Sequence, residues 1–379
     1  MKGILQIIPV LLWCLAVLAG IRPLKFGRLK TLLVAFVAAI AFSKFSFFNL
    51  IGGSVTSPNL PPVVIWFFGW MYGAAVAFTV MATAFALLDG LLALFRCHVP
   101  ICLKRIRAAV FLILAALISS YGIYEGVRVP RVRHVELYLQ GLPAEFDGYR
   151  IAHVSDLHCS TSIRRERIAS IVEKVNALDA DLIAITGDFV DGRVSDRCGD
   201  LAPLSDLRAK DGVVGCSGNH EFYWEWDKWL KALSGMGVEF PEVSGPRMIG
   251  RGTALMSVGA LADPAIAGVC PAKSAFVGVP DNAFKVLLFH RPLTDVIDAV
   301  GADVGLQLSG HTHGGAMPVL RWLVEQVNEG RSRGIYTFGE RGVLYNSSGS
   351  GQWAGFPLRL FTPSEIAEIV LRRKTEKEE

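Results

Sequence analysis

The amino-terminal third of the chain is built from apolar runs that are too long for the core of a small soluble domain. Each of four segments reaches about the 20 residues that a helix needs to cross a bilayer. They cover roughly 4–21, 32–51, 63–88 and 108–124. The first run lacks a strong cleavage signal before Arg22, and three more follow it. The runs therefore predict four transmembrane helices rather than a signal sequence or long buried core helices.

Basic residues are concentrated in the first and third connections between these runs, and the second connection, 52–62, has no charge. Because cytoplasmic loops carry an excess of Lys and Arg, both basic loops are predicted to be cytoplasmic. The amino terminus and everything after 124 would then lie outside. Basic residues at 128, 131 and 133 favour the opposite orientation, but more weakly. The basic residues of the two loops are Arg22, Lys25, Arg28, Lys30, Arg96, Lys104, Arg105 and Arg107.

Two charged residues lie in or beside the apolar runs. Charges inside a membrane often mark transport or proton pathways. Lys44 lies toward the outer end of its run and Asp89 near the inner end of its own. Each can extend its charge to the membrane interface, so an anchor is favoured over a transporter.

Beyond the runs, short apolar stretches alternate with charges, Gly and Pro, as in a soluble α/β domain. We divide the chain into a transmembrane region (1–127), a soluble domain (128–372) and a charged tail (373–379). The net charge of +4 is too small for this length to indicate a nucleic-acid partner.

Hydrophobic patterning predicts strands alternating with helices in the soluble domain. This order is typical of α/β folds, in which ligands bind beyond the carboxyl ends of the strands. The predicted helices are 164–178 and 226–236. The predicted strands are 135–139, an edge strand, and 149–155, 182–186, 213–217, 254–258, 285–289, 304–309, 343–346 and 366–371.

Five motifs place metal-ligand side chains in this domain, and all but the fourth end at a turn. Five of the chain's eight histidines lie within them. The motifs are Asp156-Leu157-His158, Gly187-Asp188-Phe189-Val190-Asp191, Gly218-Asn219-His220-Glu221, His290 and Gly310-His311-Thr312-His313-Gly314-Gly315.

The residue types suit cations. Strand alternation would point Asp156 and His158 the same way, although a turn with a hydrogen-bonded histidine is an alternative. Asp188 follows a glycine that permits a sharp turn, and its carboxylate can bridge two cations. The Asn219 oxygen is a neutral ligand, and His220 can supply a proton or stabilise charge on a phosphate.

Two carboxylates of these motifs are interpreted as structural. Asp191 would cap the following turn, and Glu221 would cap a turn or orient a histidine from behind the ligands. Considered alone, His290 would be interpreted as a core histidine. Together with the other motifs, however, it completes a set of candidate metal ligands that comprises two Asp, one Asn and four His, without counting His220. This is enough for two incompletely closed sites, which are typical of catalytic metals. Two adjacent metals indicate phosphoryl chemistry.

The ordered motifs resemble the calcineurin-like metallophosphoesterase superfamily, whose motifs are D-x-H, G-D-x-x-D, G-N-H-[DE], a later His and G-H-x-H. They are most similar to its bacterial membrane-anchored phosphodiesterase branch. Further along, Gly349-Ser350-Gly351-Gln352-Trp353, with Pro357 and Arg359, resembles that branch's ending. The resemblance covers roughly residues 134–372. It implies a four-layer α/β sandwich of two mixed sheets flanked by helices, here preceded by an all-α four-helix transmembrane region.

The resemblance also implies a ligand set. Asp156, His158, Asp188 and His313 would hold one divalent metal ion. Asp188, Asn219, His290 and His311 would hold the other, with Asp188 bridging. His220 would be the acid or transition-state stabiliser.

The expected activity is hydrolysis of a phosphodiester by attack of a metal-bound hydroxide. Mixed imidazole and carboxylate ligands suit Mn, Fe or Zn, and Mn is favoured. The predicted localisation is a multi-pass protein of the cell inner membrane with the catalytic domain on the outer face, so the substrate would be lipid-linked or part of the cell envelope. The alternatives are a phosphomonoesterase, a lipid-precursor pyrophosphohydrolase, or a membrane transporter or scaffold with a metal-binding domain.

Overall fold

The chain folds into two units, one helical and one built on two sheets. The structure, a computed structural model, describes residues 2–263, 275–300 and 303–374. One unit comprises Met1–Gly126 with Gly355–Leu360, and the other comprises Val127–Ala354 with Phe361–Glu379. The predicted charged tail lies outside the described residues after Lys374.

The first unit is helical. Among the described residues, α4 alone is long and apolar enough to cross a membrane as a single helix. Helices α2 and α3 meet that criterion only together, as a pair bent by 63°. Four spans therefore remain a prediction. The helices are α1 (Lys2–Ile21), α2 (Arg28–Phe42), α3 (Lys44–Gly52), α4 (Pro62–Leu94) and α5 (Ile101–Val127).

The bend between α2 and α3 places Lys44 inside the first unit. Its side chain is 1% exposed, and Nζ donates to the Gly355 carbonyl at 3.0 Å. The rings of Phe45, Tyr72 and Phe356 surround the ammonium at 4.4, 4.7 and 4.6 Å from their centroids. A carbonyl acceptor and three aromatic faces stabilise the charge in place. The expectation that Lys44 extends to the membrane interface is therefore wrong.

A short segment from late in the chain, Gly355–Leu360, packs among these helices. The Arg359 N–H donates to the Gly122 carbonyl at 2.9 Å. A Cβ added at Gly126 would lie 2.8 Å from the Pro357 carbonyl oxygen. Paired small residues four positions apart usually admit a second helix, whereas here they admit a non-helical chain segment. The glycines that meet it are Gly69 and Gly73 of α4 and Gly122 and Gly126 of α5.

The second unit contains two six-stranded mixed sheets. The first has the order β1-β12-β2-β3-β4-β5, in which only β12 and β2 are antiparallel. The second has the order β10-β11-β9-β8-β7-β6, with antiparallel pairs at both edges. The strands are β1 (Arg131–Leu139), β2 (Arg150–Val154), β3 (Leu182–Thr186), β4 (Val213–Cys216), β5 (Val238–Glu239), β6 (Arg247–Arg251), β7 (Ala254–Leu261), β8 (Phe284–Phe289), β9 (Val304–Ser309), β10 (Gly334–Phe338), β11 (Gly342–Asn346) and β12 (Glu365–Arg373).

Helices cover the outer faces of both sheets. The central core joins apolar side chains from the two sheets, such as Ile151 and Leu182 with Val286 and Leu306. Helices α6 and α9 pack on the first sheet, and α11 packs on the second. This is the predicted four-layer α/β sandwich. The described helices are α6 (Arg165–Asn176), α7 (Val194–Leu201), α8 (Asn219–Tyr223), α9 (Trp226–Gly235), α10 (Pro241–Ser244), α11 (Asp295–Val300) and α12 (Pro318–Gln326).

The predicted strands and helices of this unit are all present, with ends shifted by a few residues. The strands that the sequence did not predict are β5, β6 and β10, which lie at sheet edges.

The expectation that strand alternation orients Asp156 and His158 is wrong. Asp156 and His158 lie beyond the end of β2 with φ of 53° and 46°, so strand alternation does not orient their side chains.

A Gly126→Ala substitution tests the packing of the 355–360 segment. The added methyl group would press on the Pro357 backbone, which cannot rotate away. We expect a loss of about 1–3 kcal/mol in the free energy of unfolding. Thermal unfolding of the full-length protein in detergent measures this. Gly90→Ala in α4 is the control, because nothing lies within 4 Å of a Cβ there and alanine favours the helix. Equal destabilisation by both substitutions would contradict the packing.

Candidate metal centre

The candidate ligands lie in five loops, each at the carboxyl end of a parallel strand. Strands β2, β3 and β4 are neighbours in the first sheet, and β8 and β9 are neighbours in the second. The loop after β2 carries Asp156 and His158, and the loop after β3 carries Asp188. Carboxyl ends of parallel strands meet at one edge of a sheet, so the five loops converge.

Backbone hydrogen bonds hold these loops together beyond the strands. The Asp156 N–H donates to the Gly187 carbonyl at 3.0 Å, and the His158 N–H donates to the Asp188 carbonyl at 2.9 Å. The Asp156 carboxylate accepts the His311 N–H at 3.1 Å. The last of these bonds connects loops of different sheets.

Five of the seven predicted ligands have a left-handed backbone conformation. Non-glycine residues rarely adopt it, although Asp and His are enriched among those that do. The left-handed conformation turns each of these side chains into the pocket between the loops, whereas a continuing strand would direct the side chain elsewhere. The residues, with φ of 53°, 46°, 53°, 70° and 48°, are Asp156, His158, Asp188, His311 and His313.

A first group of ligand-type side chains comprises Asp156, His158 and His313. The Nε2 atoms of the two histidines are 3.1 Å apart. Asp156 Oδ1 lies 3.4 Å from His313 Nε2 and 3.8 Å from His158 Nε2. All three residues are buried.

A second group comprises Asp188, His290 and His311. His290 Nε2 lies 3.2 Å from Asp188 Oδ2 and 3.2 Å from His311 Nδ1. The same Asp188 Oδ2 is 3.6 Å from His158 Nε2 of the first group. Asp188 therefore stands between the two groups, as a bridging carboxylate would.

Four of these separations, from 3.1 to 3.4 Å, fit metal coordination, and the two from His158 Nε2 to Asp188 Oδ2 and Asp156 Oδ1 are longer, at 3.6 and 3.8 Å. Ligand atoms about 2.1 Å from one ion, at tetrahedral or octahedral angles, are roughly 3.0–3.4 Å apart. Asn219 can supply a further metal ligand. Its buried Oδ1 has no hydrogen-bond partner among the described residues, while its Nδ2 donates to Tyr223 Oη at 3.1 Å. A buried carbonyl oxygen left in this way is costly unless a ligand binds it.

Two histidines are held with Nε2 facing the groups. His290 Nδ1 donates to the Thr186 carbonyl at 2.8 Å, and His158 Nδ1 donates to Asp191 Oδ1 at 3.2 Å. Such contacts leave the lone pair of the other ring nitrogen for a metal.

Asp191 has a second partner that the sequence did not predict. The same Oδ1 contacts His220 Nδ1, which leaves His220 Nε2 4.0 Å from Asp188 Oδ2. Asp191 thus orients two imidazoles. The second aspartate of G-D-x-x-D could have indicated this role from sequence, because histidines that bind a metal commonly donate their other N–H to a carboxylate.

Glu221 organises the loop after β3. Its two oxygens accept four backbone N–H groups, at 2.7 Å from Gly218, 3.0 Å from Asp188, 2.6 Å from Phe189 and 3.3 Å from Val190. This is a capping role, one of the two that the sequence predicted, and it fixes the approach of one loop to the other. The sequence pattern did not reveal the contacts with residues 188–190.

Only glycine fits at position 187. Its φ is +76°, and an added Cβ would lie 2.7 Å from Gly218 Cα and 2.7 Å from His290 Nδ1. A side chain here would separate the Asp188 and Asn219 loops.

Charge is unevenly distributed over the histidines. Burial acts to lower the pKa of His290, but Asp188 outweighs it and raises that pKa to about 10. Burial and the neighbouring His290 hold the pKa of His311 well below its usual value. For His220, burial is again outweighed, by Asp188 and Asp191, and the pKa rises to about 9. The carboxylates of Asp188 and Asp191 therefore favour positive charge on the groups beside them.

Comparison with known proteins shows which family contains this domain. Residues 149–315 match the model of the calcineurin-like phosphoesterase family. An uncharacterized metallophosphoesterase of Campylobacter jejuni is 30% identical over 278 residues, which cover 72% of this chain and 70% of the relative. Proteins of Danio rerio and Bos taurus, each named transmembrane protein with metallophosphoesterase domain, are 29% and 27% identical and align with 69% and 70% of this chain.

The alignments span 62% of the zebrafish protein's length and 63% of the bovine protein's. The family match contains the loops after β2, β3, β4, β8 and β9, and therefore every predicted ligand. The chain belongs to the calcineurin-like phosphoesterase family.

Proposed function

We propose that the protein is a membrane-anchored, dinuclear-metal phosphodiesterase. The observation that carries this proposal is the sharing of Asp188 Oδ2 between two groups of ligand-type side chains. A single closed metal site would be complete with one of these groups and would not require the second. Two open sites side by side suit an enzyme that positions and hydrolyses a phosphate ester.

The proposed assignment follows the two groups. Asp156, His158 and His313 hold one ion, and Asn219, His290 and His311 hold the other, with Asp188 common to both. When bound, two divalent cations supply an activated water near neutral pH and neutralise charge on the phosphate oxygens. The mixture of imidazole, carboxylate and amide donors suits Mn, Fe or Zn, and we favour Mn.

His220 is the proposed catalytic residue. Its Nε2 faces the ligand groups, and Asp191 holds the opposite nitrogen. The carboxylates of Asp188 and Asp191 favour the protonated ring, so His220 can donate a proton to the departing alkoxide. The residue is buried, which restricts competing exchange with water.

The substrate class rests on resemblance and on location. The motifs are most similar to a phosphodiesterase branch, and the apolar runs favour four spans and a catalytic domain on the outer face of the inner membrane. We propose a membrane region of residues 1–127 and a catalytic domain of residues 128–372, from which the segment Gly355–Leu360 returns to the helical unit. The proposed substrate is a lipid-linked or cell-envelope phosphodiester. Relatives named as transmembrane proteins and the apolar helix α4 support membrane association.

Asp188→Asn should reduce activity more than Asp191→Asn does. The first substitution puts an amide in place of a carboxylate shared by both ions, whereas the second disturbs histidines that are still present. We expect about 10–100-fold loss for Asp191→Asn and more than this for Asp188→Asn. Hydrolysis rates of purified full-length variants, with metal content measured on the same samples, check the order. Near-normal activity of Asp188→Asn would contradict the shared-ligand assignment.

Metal affinity should rise with pH. Because the His290 pKa is about 10, an ion must displace a proton from Nε2 at neutral pH. We expect the association constant for Mn²⁺ to increase about tenfold per pH unit between roughly 6.5 and 8.5 for each proton displaced. Calorimetry in buffers of different ionisation enthalpy counts the released protons. Binding without proton release would contradict the assignment of His290.

The proposed function is tested by comparing a bis-aryl phosphate with the matching mono-aryl phosphate. The full-length protein in detergent, loaded with Mn²⁺, should prefer the diester. Asp188→Asn serves as the control for contaminating phosphatases. Preference for the monoester would replace the diesterase proposal with a phosphomonoesterase. No turnover by folded, metal-loaded protein would overturn both and favour a pyrophosphate substrate or a non-catalytic protein.

A further inference from the structure

A cavity of about 770 Å³ lies among α1, α4 and α5 of the helical unit. This volume is within the range of pockets that bind small ligands. Small alkyl side chains create the space, and larger ones complete the wall. Its apolar lining includes Ala16, Ala19, Ala82, Ala86, Leu87 and Phe111.

Charged side chains also line this cavity. Four are basic, Arg22, Lys25, Lys104 and Arg107, and one, Asp89, is acidic. Arg107 holds both oxygens of Asp89, at 2.9 and 2.5 Å, and Lys104 Nζ lies 3.4 Å from it. The carboxylate is therefore already paired.

The remaining two cations are open to a ligand. Arg22 and Lys25 are exposed, and no carboxylate among the described side chains lies within 4.0 Å of either. Residues 22–27 connect α1 to α2. Arg105 Nε donates to the Pro23 carbonyl at 3.1 Å, which ties this connection to α5. The backbone that carries the two cationic side chains is thus held beside the apolar walls.

We infer that this cavity binds an anionic phospholipid. A phosphate group would pair with Arg22 and Lys25, and an acyl chain would lie along the alanines of α1 and α4. Charge complementarity favours an anionic headgroup over a zwitterionic one, and the apolar walls favour a lipid over a soluble anion. Basic pockets between membrane helices bind anionic headgroups in this way. The inference rests on the proposed membrane placement and is independent of the chemistry at Asp188.

Native mass spectrometry of the full-length protein in detergent tests the inference. Phosphatidylglycerol and phosphatidylcholine with identical acyl chains are added to separate samples, and the retained lipid is measured. We expect phosphatidylglycerol to be retained preferentially. Retention of both lipids to the same extent would overturn the inference, and this comparison requires no variant.

Two variants locate the site. Arg22→Gln/Lys25→Gln should weaken phosphatidylglycerol binding by roughly 25-fold, or about fivefold for each charge. Arg28→Gln/Lys30→Gln is the matched control. It removes the same charge at the start of α2, and neither residue lines the cavity. An equal loss in both variants would mean a diffuse surface attraction and would overturn the site.

Two further arms separate a lipid from a free anion. Ala86→Phe narrows the cavity and keeps every charge, so it should also reduce lipid retention. Glycerophosphoglycerol, the headgroup without acyl chains, should bind far more weakly than the lipid, and equal affinity would overturn the role of the apolar walls. Hydrolysis of the bis-aryl phosphate by Arg22→Gln/Lys25→Gln should remain unchanged. A failure of the catalytic proposal would appear in that assay and leave the lipid comparison interpretable.

Discussion

Four backbone amides from two loops donate to the buried carboxylate of Glu221, and the geometry of the candidate metal centre depends on this interaction. It joins the turn before α8 to the turn after β3. The Asp188 carboxylate in return accepts the His220 N–H at 2.9 Å. A candidate bridging ligand and a candidate proton donor are thus positioned relative to each other by buried carboxylates that accept backbone N–H groups.

This rigidity offsets an unfavourable backbone. A left-handed residue other than glycine costs about 1 kcal/mol, so five of them cost roughly 5 kcal/mol, which is comparable with the net stability of a domain. Interlocking loops at the ends of two packed sheets can maintain such conformations. The burial of Asp156, Asp188 and three histidines, His158, His290 and His313, adds a further cost. Bound cations would reduce it by neutralising the carboxylates and accepting the histidine lone pairs.

The sequence predicts the strand ends well because the hydrophobic pattern that marks them is local. Most residues of its motifs lie in two groups of ligand-type side chains, and their role as metal ligands stays a prediction. Leu182–Thr186 is a short run with three β-branched residues followed by glycine, which is typical of a buried strand. The conformation of Asp156 and His158 could not be predicted, since a turn between two sheets replaces the strand that alternation assumes. The second partner of Asp191 and the burial of Lys44 depend on residues distant in the chain. The same is true of β6 and β10, which pair at sheet edges where burial leaves a weaker pattern.

The return of Gly355–Leu360 to the helical unit has a consequence for biosynthesis. The helices of that unit emerge from the ribosome first, but the segment that packs against Gly122 and Gly126 is made only after more than 200 further residues. The helical unit cannot complete its packing until nearly all of the phosphoesterase domain has been synthesised. Neither unit is encoded by one uninterrupted stretch. Cutting the gene at residue 127 would therefore leave the released domain with an apolar loop, including Phe356 and Leu358, whose natural packing partners had been removed.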